Sequence, residues 1–419
     1  MRRQSPTAVY LGLELILSAA FAVSFTVTAV YFVKTVHLDP LQLVLAGTAM
    51  EATIFVCEIP TGVLADTYGR RASLVLGWAI SGAAMVLVGT VPHVAAVLAG
   101  FALWGFGYTF TSGAYEAWIT DEVGAARVTH VFVRGTRMGY AGALAGIGLS
   151  VSLAAWLGLG TTVAIGGGLV ILCAAYAALA MPETGFRPTG EERPGWRDSL
   201  QTARRGGRLV RGHPLLLMMM AITLFAGMSS ESFDRLWQAH FIRDVGLPSF
   251  FSLDDVYWFG LFEVGSMVIG LVASTVLVRR FRDRPPVALA RMLLVVTVVQ
   301  LAAAILFGIA GGVAFALSTY WLYRLTRGLV HPLYMGWLNR NIDDSSVRAT
   351  VISMEGQADA VGQTAGGPVL GAIGNAWGIP AALLAGAAVL APAILLYGRA
   401  TRHDGLEPEL EELPATAPV

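Results

Sequence analysis

Charge is what this sequence is short of. Only 13% of its 419 residues are Asp, Glu, Lys or Arg, against about 25% in a soluble globular protein. Lysine is nearly absent, with Lys34 standing alone. The deficit excludes an ordinary water-soluble domain. The 28 basic and 28 acidic residues cancel, so no basic surface invites a nucleic acid. Cysteine is scarce as well. Cys57 and Cys173 each lie inside an apolar run; they form neither a metal spacing nor a disulfide framework and read as small buried hydrophobes. Also missing are a phosphate-cradling glycine loop, a zinc-binding helix and a Ser-His-Asp arrangement. An enzyme, a nucleotide-driven pump and a bound cofactor are therefore not expected. Nor is a signal peptide: the first apolar run is too long for an h-region, and Arg2–Arg3 lacks the rest of a twin-arginine pattern.

What fills the chain instead is apolar. Hydrophobic residues make up 55%, with 48 Gly and a mean hydropathy of +0.65. A helix crosses the bilayer hydrocarbon with about 20 apolar residues. Twelve such spans are predicted, at 7–33, 40–65, 72–91, 94–119, 132–157, 161–180, 214–241, 255–278, 287–308, 312–337, 349–373 and 378–398. Six precede a polar stretch broken by Pro182, Pro188 and Pro194, and six follow it. The expected fold is an all-α membrane protein with twelve transmembrane helices in two pseudo-symmetric bundles. Residues 1–181 form the first bundle, 182–213 a linker with a short surface helix near Trp196–Leu209, 214–398 the second bundle, and 399–419 an acidic tail.

Cytoplasmic loops collect basic residues. With the N-terminus inside, Arg2, Arg3, Arg70, Arg71, Arg127, Arg134, the seven arginines from Arg187 to Arg211, Arg279, Arg280, Arg282, Arg284, Arg340, Arg348, Arg399 and Arg402 all fall on the inner side. The outer loops hold Lys34 and Arg243. Both termini are therefore expected in the cytoplasm, and the protein in the cell (inner) membrane.

The halves repeat each other. Arg127-Val-Thr leads to Gly135 and Gly146 at the same spacing by which Arg348-Ala-Thr leads to Gly356 and Gly367. Upstream, Tyr115-x-x-Trp118 matches Tyr334-x-x-Trp337. Parallel repeats about an axis along the membrane normal are a device of transporters.

The most specific motif joins spans two and three: Gly62-Val-Leu-Ala-Asp66-Thr-Tyr-Gly69-Arg70-Arg71. Gly62 would let span two approach a neighbour closely, and Gly69 would permit a tight turn. Asp66 and Arg70 can pair at the membrane edge, and the aspartate can face a helix N-terminus. The motif closely resembles the cytoplasmic signature of the major facilitator superfamily. That resemblance implies a cytoplasmic gate, with Asp66 reaching the start of span eleven when the inside is closed. The span-five run Gly139-x-x-Gly142-x-x-x-Gly146-x-Gly148 resembles, in degraded form, the signature of twelve-span drug:proton antiporters. Its proline is absent here, and Trp104–Ser112 lacks the basic residue of those exporters' span-four motif. Span eleven carries Gly362-x-x-x-Gly366-Gly367-Pro368-x-x-Gly371, small residues that allow close packing and a proline that bends the helix.

A charge at mid-bilayer costs about 2.5–3.5 kcal/mol on insertion scales, so it usually faces a cavity or a partner. Candidate substrate- and proton-binding residues are Glu14 in span one, Glu51 in span two, Glu231 and Asp234 in span seven, Glu263 in span eight, Arg324 and Arg327 in span ten, and Asp359 in span eleven. Glu51 and Glu58 share a helix face, as do Arg324, Arg327 and His331. Adjacent Asp234 and Arg235 do not, so each needs its own partner. Glu58, Glu116 and Glu355 lie near the inner edge, where a structural role suffices, and His331 precedes Pro332 and can serve the backbone. Phe25, Tyr31, Phe225, Met228, Phe233, Trp237, Tyr320, Tyr323 and Tyr334 accompany these charges. Acids with aromatics and methionines suit a lipophilic or cationic solute. The expected function is secondary active transport: proton-coupled efflux, by a monomer, of small amphipathic or drug-like compounds, as in multidrug resistance. Open alternatives are a proton-linked importer of an organic acid or other metabolite, with Arg324 holding its carboxylate, and a membrane sensor built on the same bundle.

Overall fold

The computed structural model describes residues 5–186, 207–208, 210–248, 255–281, 285–342 and 345–403; the side chains of Asp66 and of 345–350 fall outside that description. Of the expected linker helix only 207–208 are described, and of the expected tail only 399–403, which continue the last helix. The chain is helical: α1 (Pro6–Lys34), α2 (Pro40–Tyr68), α3 (Arg70–Thr90), α4 (Val94–Thr109), α5 (Ala114–Val123), α6 (Ala125–Leu157), α7 (Leu159–Ala180), α8 (Pro214–His240), α9 (Asp255–Phe281), α10 (Pro286–Gly308), α11 (Val313–Arg340), α12 (Ser345–Trp377) and α13 (Ile379–His403). Helices α4 and α5 together make the fourth span, so from α6 onward each helix number is one more than its span. Among the described residues, ten segments are long and apolar enough to cross a membrane. Helices α11 and α12, of 28 and 33 residues, match them in length but are more polar. With twelve crossings both chain ends lie on one face, here the terminal face.

Local chemistry explains the breaks. Pro40 opens α2 behind a capping box in which Asp39 accepts from the Gln42 amide at 2.8 Å and the Gln42 side chain accepts from the Asp39 amide at 3.1 Å. Gly69 joins α2 to α3 at φ +108°, a backbone that L side chains rarely adopt. The fourth span is not the single helix expected at 94–119. It breaks after Thr109 and restarts at Ala114 through Gly113, at φ +70°. Carbonyls freed by the break are taken up by neighbours: Thr61 donates to Thr109 at 3.1 Å and Ser73 to Phe110 at 2.6 Å. The fifth span starts at Ala125 rather than 132, and the eleventh runs to Trp377.

Packing repeats span for span. In the first half α1 packs on α6 and α7, α3 on α7 and α4, and α2 on α4. In the second half α8 packs on α12 and α13, α10 on α13 and α11, and α9 on α11. Glycines sit at corresponding seams in both halves, one residue out of the repeat register. A Cβ at Gly142 would strike the Leu15 backbone of α1, and one at Gly362 the Leu224 backbone of α8. Between halves, α2 meets α12 and α8, while α9 meets α6 and α1.

The two faces differ. Away from the terminal face one apolar core runs through both halves, with Val30, Phe32, Leu43 and Phe101 beside Phe233, Trp237, Phe259 and Phe307. Toward the terminal face each half has its own core, around Trp118 in the first and Trp337 in the second. Cross-half bonds also gather away from the termini: Lys34 with Asp255 at 2.7 Å, Arg243 Nη2 to the Leu38 carbonyl at 2.7 Å, and the Leu41 amide to Asn375 Oδ1 at 2.9 Å. The halves share a core at that face and have separate cores toward the termini.

Candidate functional site

The charged side chains named from sequence converge where the halves meet. Helix α8 supplies three of them in one turn. Glu231 and Arg235, four apart, share a face, and Arg235 Nε lies 3.5 Å from Glu231 Oε2. Glu231 is wholly buried and its Oε1 has no hydrogen-bond partner among the described residues. Arg235 also reaches out of its own half, with Nη2 4.0 Å from Glu51 Oε1 on α2. Gly47 makes that reach possible. It lies one turn before Glu51, and a Cβ there would overlap the Arg235 guanidinium.

Asp234 looks the other way, as adjacency on a helix requires. Its Oδ2 lies 2.9 Å from Arg327 Nη2 on α11, and Arg327 Nη1 donates to the Tyr323 hydroxyl at 3.4 Å. One turn along, Arg324 Nη2 lies 3.3 Å from Glu263 Oε2 on α9, whose Oε1 accepts from Tyr320 at 3.3 Å. The arginine stripe on α11 thus serves two different helices. Asp359 on α12 accepts from Gln363 at 2.6 Å and lies against α8 at Gly227. Glu14 stands apart from this cluster on α1, where it accepts from the Tyr10 hydroxyl. Nearer the terminal face Gln357 donates to Glu58 at 2.7 Å across the halves.

Aromatic rings wall the cluster. Phe233 stacks on Tyr323 at 3.6 Å and Trp237 on Tyr320 at 4.4 Å in the second half. In the first, Trp104 stacks on Tyr108 at 5.7 Å and meets Phe25 edge-on, with its own indole N–H buried and unpartnered. A cavity of about 130 Å³ between the halves is lined by Phe25, Thr28, Phe32, Phe101, Asp234, Arg235 and Gln238. Tyr31 is not part of it. That ring is buried and its hydroxyl is committed to the Val88 carbonyl at 3.0 Å. Tyr334 is likewise committed, to Met219 and Thr223. His331 is exposed rather than bonded to backbone.

The gate motif divides. Gly69 makes the turn, and Arg70 Nε lies 3.0 Å from Asp121 on α5. Arg71 Nη2 donates to the Ala178 carbonyl. Gly62 does not serve a close approach: among the described residues nothing lies within 4 Å of its Cβ position. The reason is that α2 makes its tight contacts near its other end, at Gly47 and along α12. A carboxylate at the N-terminus of α3 is Glu183, which accepts from the Arg71 amide at 3.0 Å, while the Asp66 side chain lies outside the described residues. Sequence reasoning passed over Glu183 because it lies beyond Pro182, far along the chain, and over Gly47 because a lone helical glycine has no signature. Among the described residues no group of three or more His, Cys, Asp or Glu is placed to hold a metal.

Five carboxylates (Glu51, Glu231, Asp234, Glu263, Asp359) and three arginines (Arg235, Arg324, Arg327) thus occupy the interface of two repeated bundles. Such an arrangement can trade ion-pair partners as the bundles move. Solved structures with this architecture include transporters. A mutant of the nucleoside transporter NupG superimposes with a TM-score of 0.76 at 13% identity, over 94% of this chain and 99% of its own. A bacterial homologue of the human lysosomal transporter Spinster, inward-facing and unoccupied, gives 0.73 at 15% identity, over 96% and 98%. In sequence, the uncharacterized MFS-type transporter YxaM of Bacillus subtilis (strain 168) is 23% identical over 368 residues, 86% of this chain and 87% of its own length. The family model of the Major Facilitator Superfamily matches residues 12–354, and the chain belongs to that family of membrane transporters.

Proposed function

We propose that this transporter exchanges small amphipathic cations for protons, carrying the cations out of the cell. The observation that carries the reading is the surplus of acid at the interface. Each of the three arginines is already engaged by at least one carboxylate, and the five carboxylates outnumber the arginines by two. A cargo carboxylate would need a free guanidinium, which disfavours the organic-acid importer. A cationic cargo finds acids beside stacked aromatic rings, a setting that favours a lipophilic cation over a hydrated one. It would compete with Arg235 for Glu51 and so loosen the tie between halves. In this reading the terminal face, with its arginines, is cytoplasmic, residues 182–213 are the linker, and Asp66 with Arg70 and Arg71 acts in the cytoplasmic gate of a monomer in the cell membrane.

The test is transport by purified protein in liposomes, with ethidium as the cationic probe and benzoate as the anionic one. A proton gradient should drive ethidium accumulation and leave benzoate unmoved. Glu51→Gln should weaken ethidium transport while the protein still elutes as a folded species. Gradient-driven benzoate uptake without ethidium movement would replace this reading with the importer. Movement of neither, with folded protein, would favour a sensor.

A further inference from the structure

The second half encloses a chamber of its own. It is a cavity of about 320 Å³ bounded by α8, α10, α11, α12 and α13, with no residue from the first half in its wall. A single water needs about 10–15 Å³ by the same kind of measure, so the space admits a hydrated ion. Its polar lining includes Thr297, Gln300, Arg327, His331, Glu355 and Asp359. Two features are unexplained by packing. Glu355 has no hydrogen-bond or ion-pair partner among the described residues, although it faces the chamber one turn from Asp359. Thr297 is 2% exposed, lines the chamber, and its hydroxyl has no partner among the described residues. A buried hydroxyl left unpaired is costly unless something in the cavity completes it.

We propose that this chamber is the site of the coupling cation, a proton or sodium ion, taken up on Glu355 and Asp359 with neutral oxygens from Thr297 and Gln300. The proposal rests on the ion-driven reading above and separates the ion from the cargo, which stays in the cleft. The charged and titratable groups around the two carboxylates are Arg327, His331 and Tyr334 from α11, Asp234 from α8, Tyr397 from α13 and, toward Asp359, Glu51 from α2. Helix α10 contributes only Thr297 and Gln300. Arg327 is the link to the cleft. It lines the chamber and pairs with Asp234, the neighbour in sequence of Arg235, which reaches Glu51 in the other half. Asp359 and Asp234 both act on Arg327. A cation on Asp359 cancels its pull, commits Arg327 to Asp234 and leaves Arg235 to Glu231 and Glu51. Loading the chamber thereby tightens the tie between halves.

Two measurements test this. The first needs no cargo: infrared difference spectra of the protein in lipid, stepping from acidic to alkaline buffer and from choline to sodium. A carboxyl band should respond to one of the two steps, which names the ion, and should shrink in Glu355→Gln and in Asp359→Asn. A band unchanged in both variants overturns the proposal. The second compares gradient-driven ethidium uptake with ethidium exchange at equal ion concentrations. Both variants should lose the driven uptake, and Glu355→Gln should keep the exchange. Thr297→Val, which only removes a hydroxyl, should require a higher ion concentration for half-maximal driven uptake, and covers the case in which the acid variants do not fold. If wild-type uptake follows neither a proton nor a sodium gradient, the ion-driven reading itself falls. If wild-type uptake is driven and all three variants are driven equally, only the chamber falls.

Discussion

The two halves of this transporter share a packing plan and divide the chemistry. Extending the match of Tyr115 to Tyr334 and Trp118 to Trp337 back along the fourth and tenth spans sets Gly105 opposite Arg324, Tyr108 opposite Arg327 and Ser112 opposite His331. Extending the match of Gly135 to Gly356 sets Arg134 opposite Glu355 and Met138 opposite Asp359. The second half carries ion pairs and a polar chamber where the first carries a stacked Trp104–Tyr108 wall. Even the helix defects correspond. Gly113 breaks the fourth span where Pro332 sits in the tenth, and the first opens into a turn while the second stays helical. A duplicated six-helix unit preserves which helices touch, because small residues at the seams fix that. It leaves the cleft-facing positions free to specialise.

The sharpest way to break this comparison is to remove the ion pair that ties the specialised half to the plain one. Arg235→Ala strands Glu231, which is fully buried, and leaves Glu51 without its counter-charge. Breaking a buried pair from one side costs about 3–5 kcal/mol, so a large fall in melting temperature in detergent is expected. Arg324→Ala removes an arginine that is 38% exposed from a glutamate that is 27% exposed, and should cost about 0–1 kcal/mol, as for accessible pairs. Equal losses in the two variants would mean that burial does not separate the cross-half tie from its neighbour.

The shared plan is tested next. Gly142→Val and Gly362→Val place a side chain against the Leu15 and Leu224 backbones respectively. Overpacking of this kind costs about 1–3 kcal/mol, and the two variants should lose thermal stability alike. A tolerant Gly142 beside an intolerant Gly362 would show that the halves no longer share their seams.

Much of this was legible in the sequence, for physical reasons that differ by residue. The span count followed from hydropathy, because the hydrocarbon fixes a minimum apolar length. The charges on α8 and α11 announced themselves because each is costly in a bilayer, and the separate partners of Asp234 and Arg235 followed from helix geometry. What stayed hidden depends on distant chain segments meeting. Nothing near Glu183 indicates that it caps α3, and nothing near Gly47 indicates a guanidinium from α8. The break at Gly113 was missed because Thr109–Ser112 carries no charge and no proline to interrupt a span. The chamber was missed because Glu355 looks like an edge residue until α10 brings Thr297 to face it.

A smaller effect sharpens the account of Gly47. Alanine is favoured over glycine inside a helix by about 1 kcal/mol, so Gly47→Ala should leave the melting temperature near or slightly above wild type. The added methyl displaces the Arg235 guanidinium from its path to Glu51. Ethidium transport should therefore fall while stability does not. A variant that gains stability and transports normally would show that the cross-half pair is dispensable.

The smallest expected change in stability concerns the face where the halves share a core. Lys34 and Asp255 meet there at 2.7 Å, with Lys34 46% exposed and Asp255 21%. A pair this accessible contributes about 0–1 kcal/mol, and it has company in the bonds of Arg243 to Leu38 and of Leu41 to Asn375. Lys34→Ala should thus leave the melting temperature almost unchanged. Its effect should be conformational. The Lys34–Asp255 contact exists only while this face is closed, so losing it favours the opposite orientation by its full, small value. A cysteine placed at Val30, buried in the shared core, should then react faster with a water-soluble maleimide. Charge reversal at both positions, Lys34→Asp with Asp255→Lys, should restore the slow labelling, because the attraction survives the exchange. A purely steric role for Lys34 predicts that the double variant labels as fast as the single one. Labelling that is slow in all three proteins would mean that the shared apolar core, rather than the ion pair, holds the face shut.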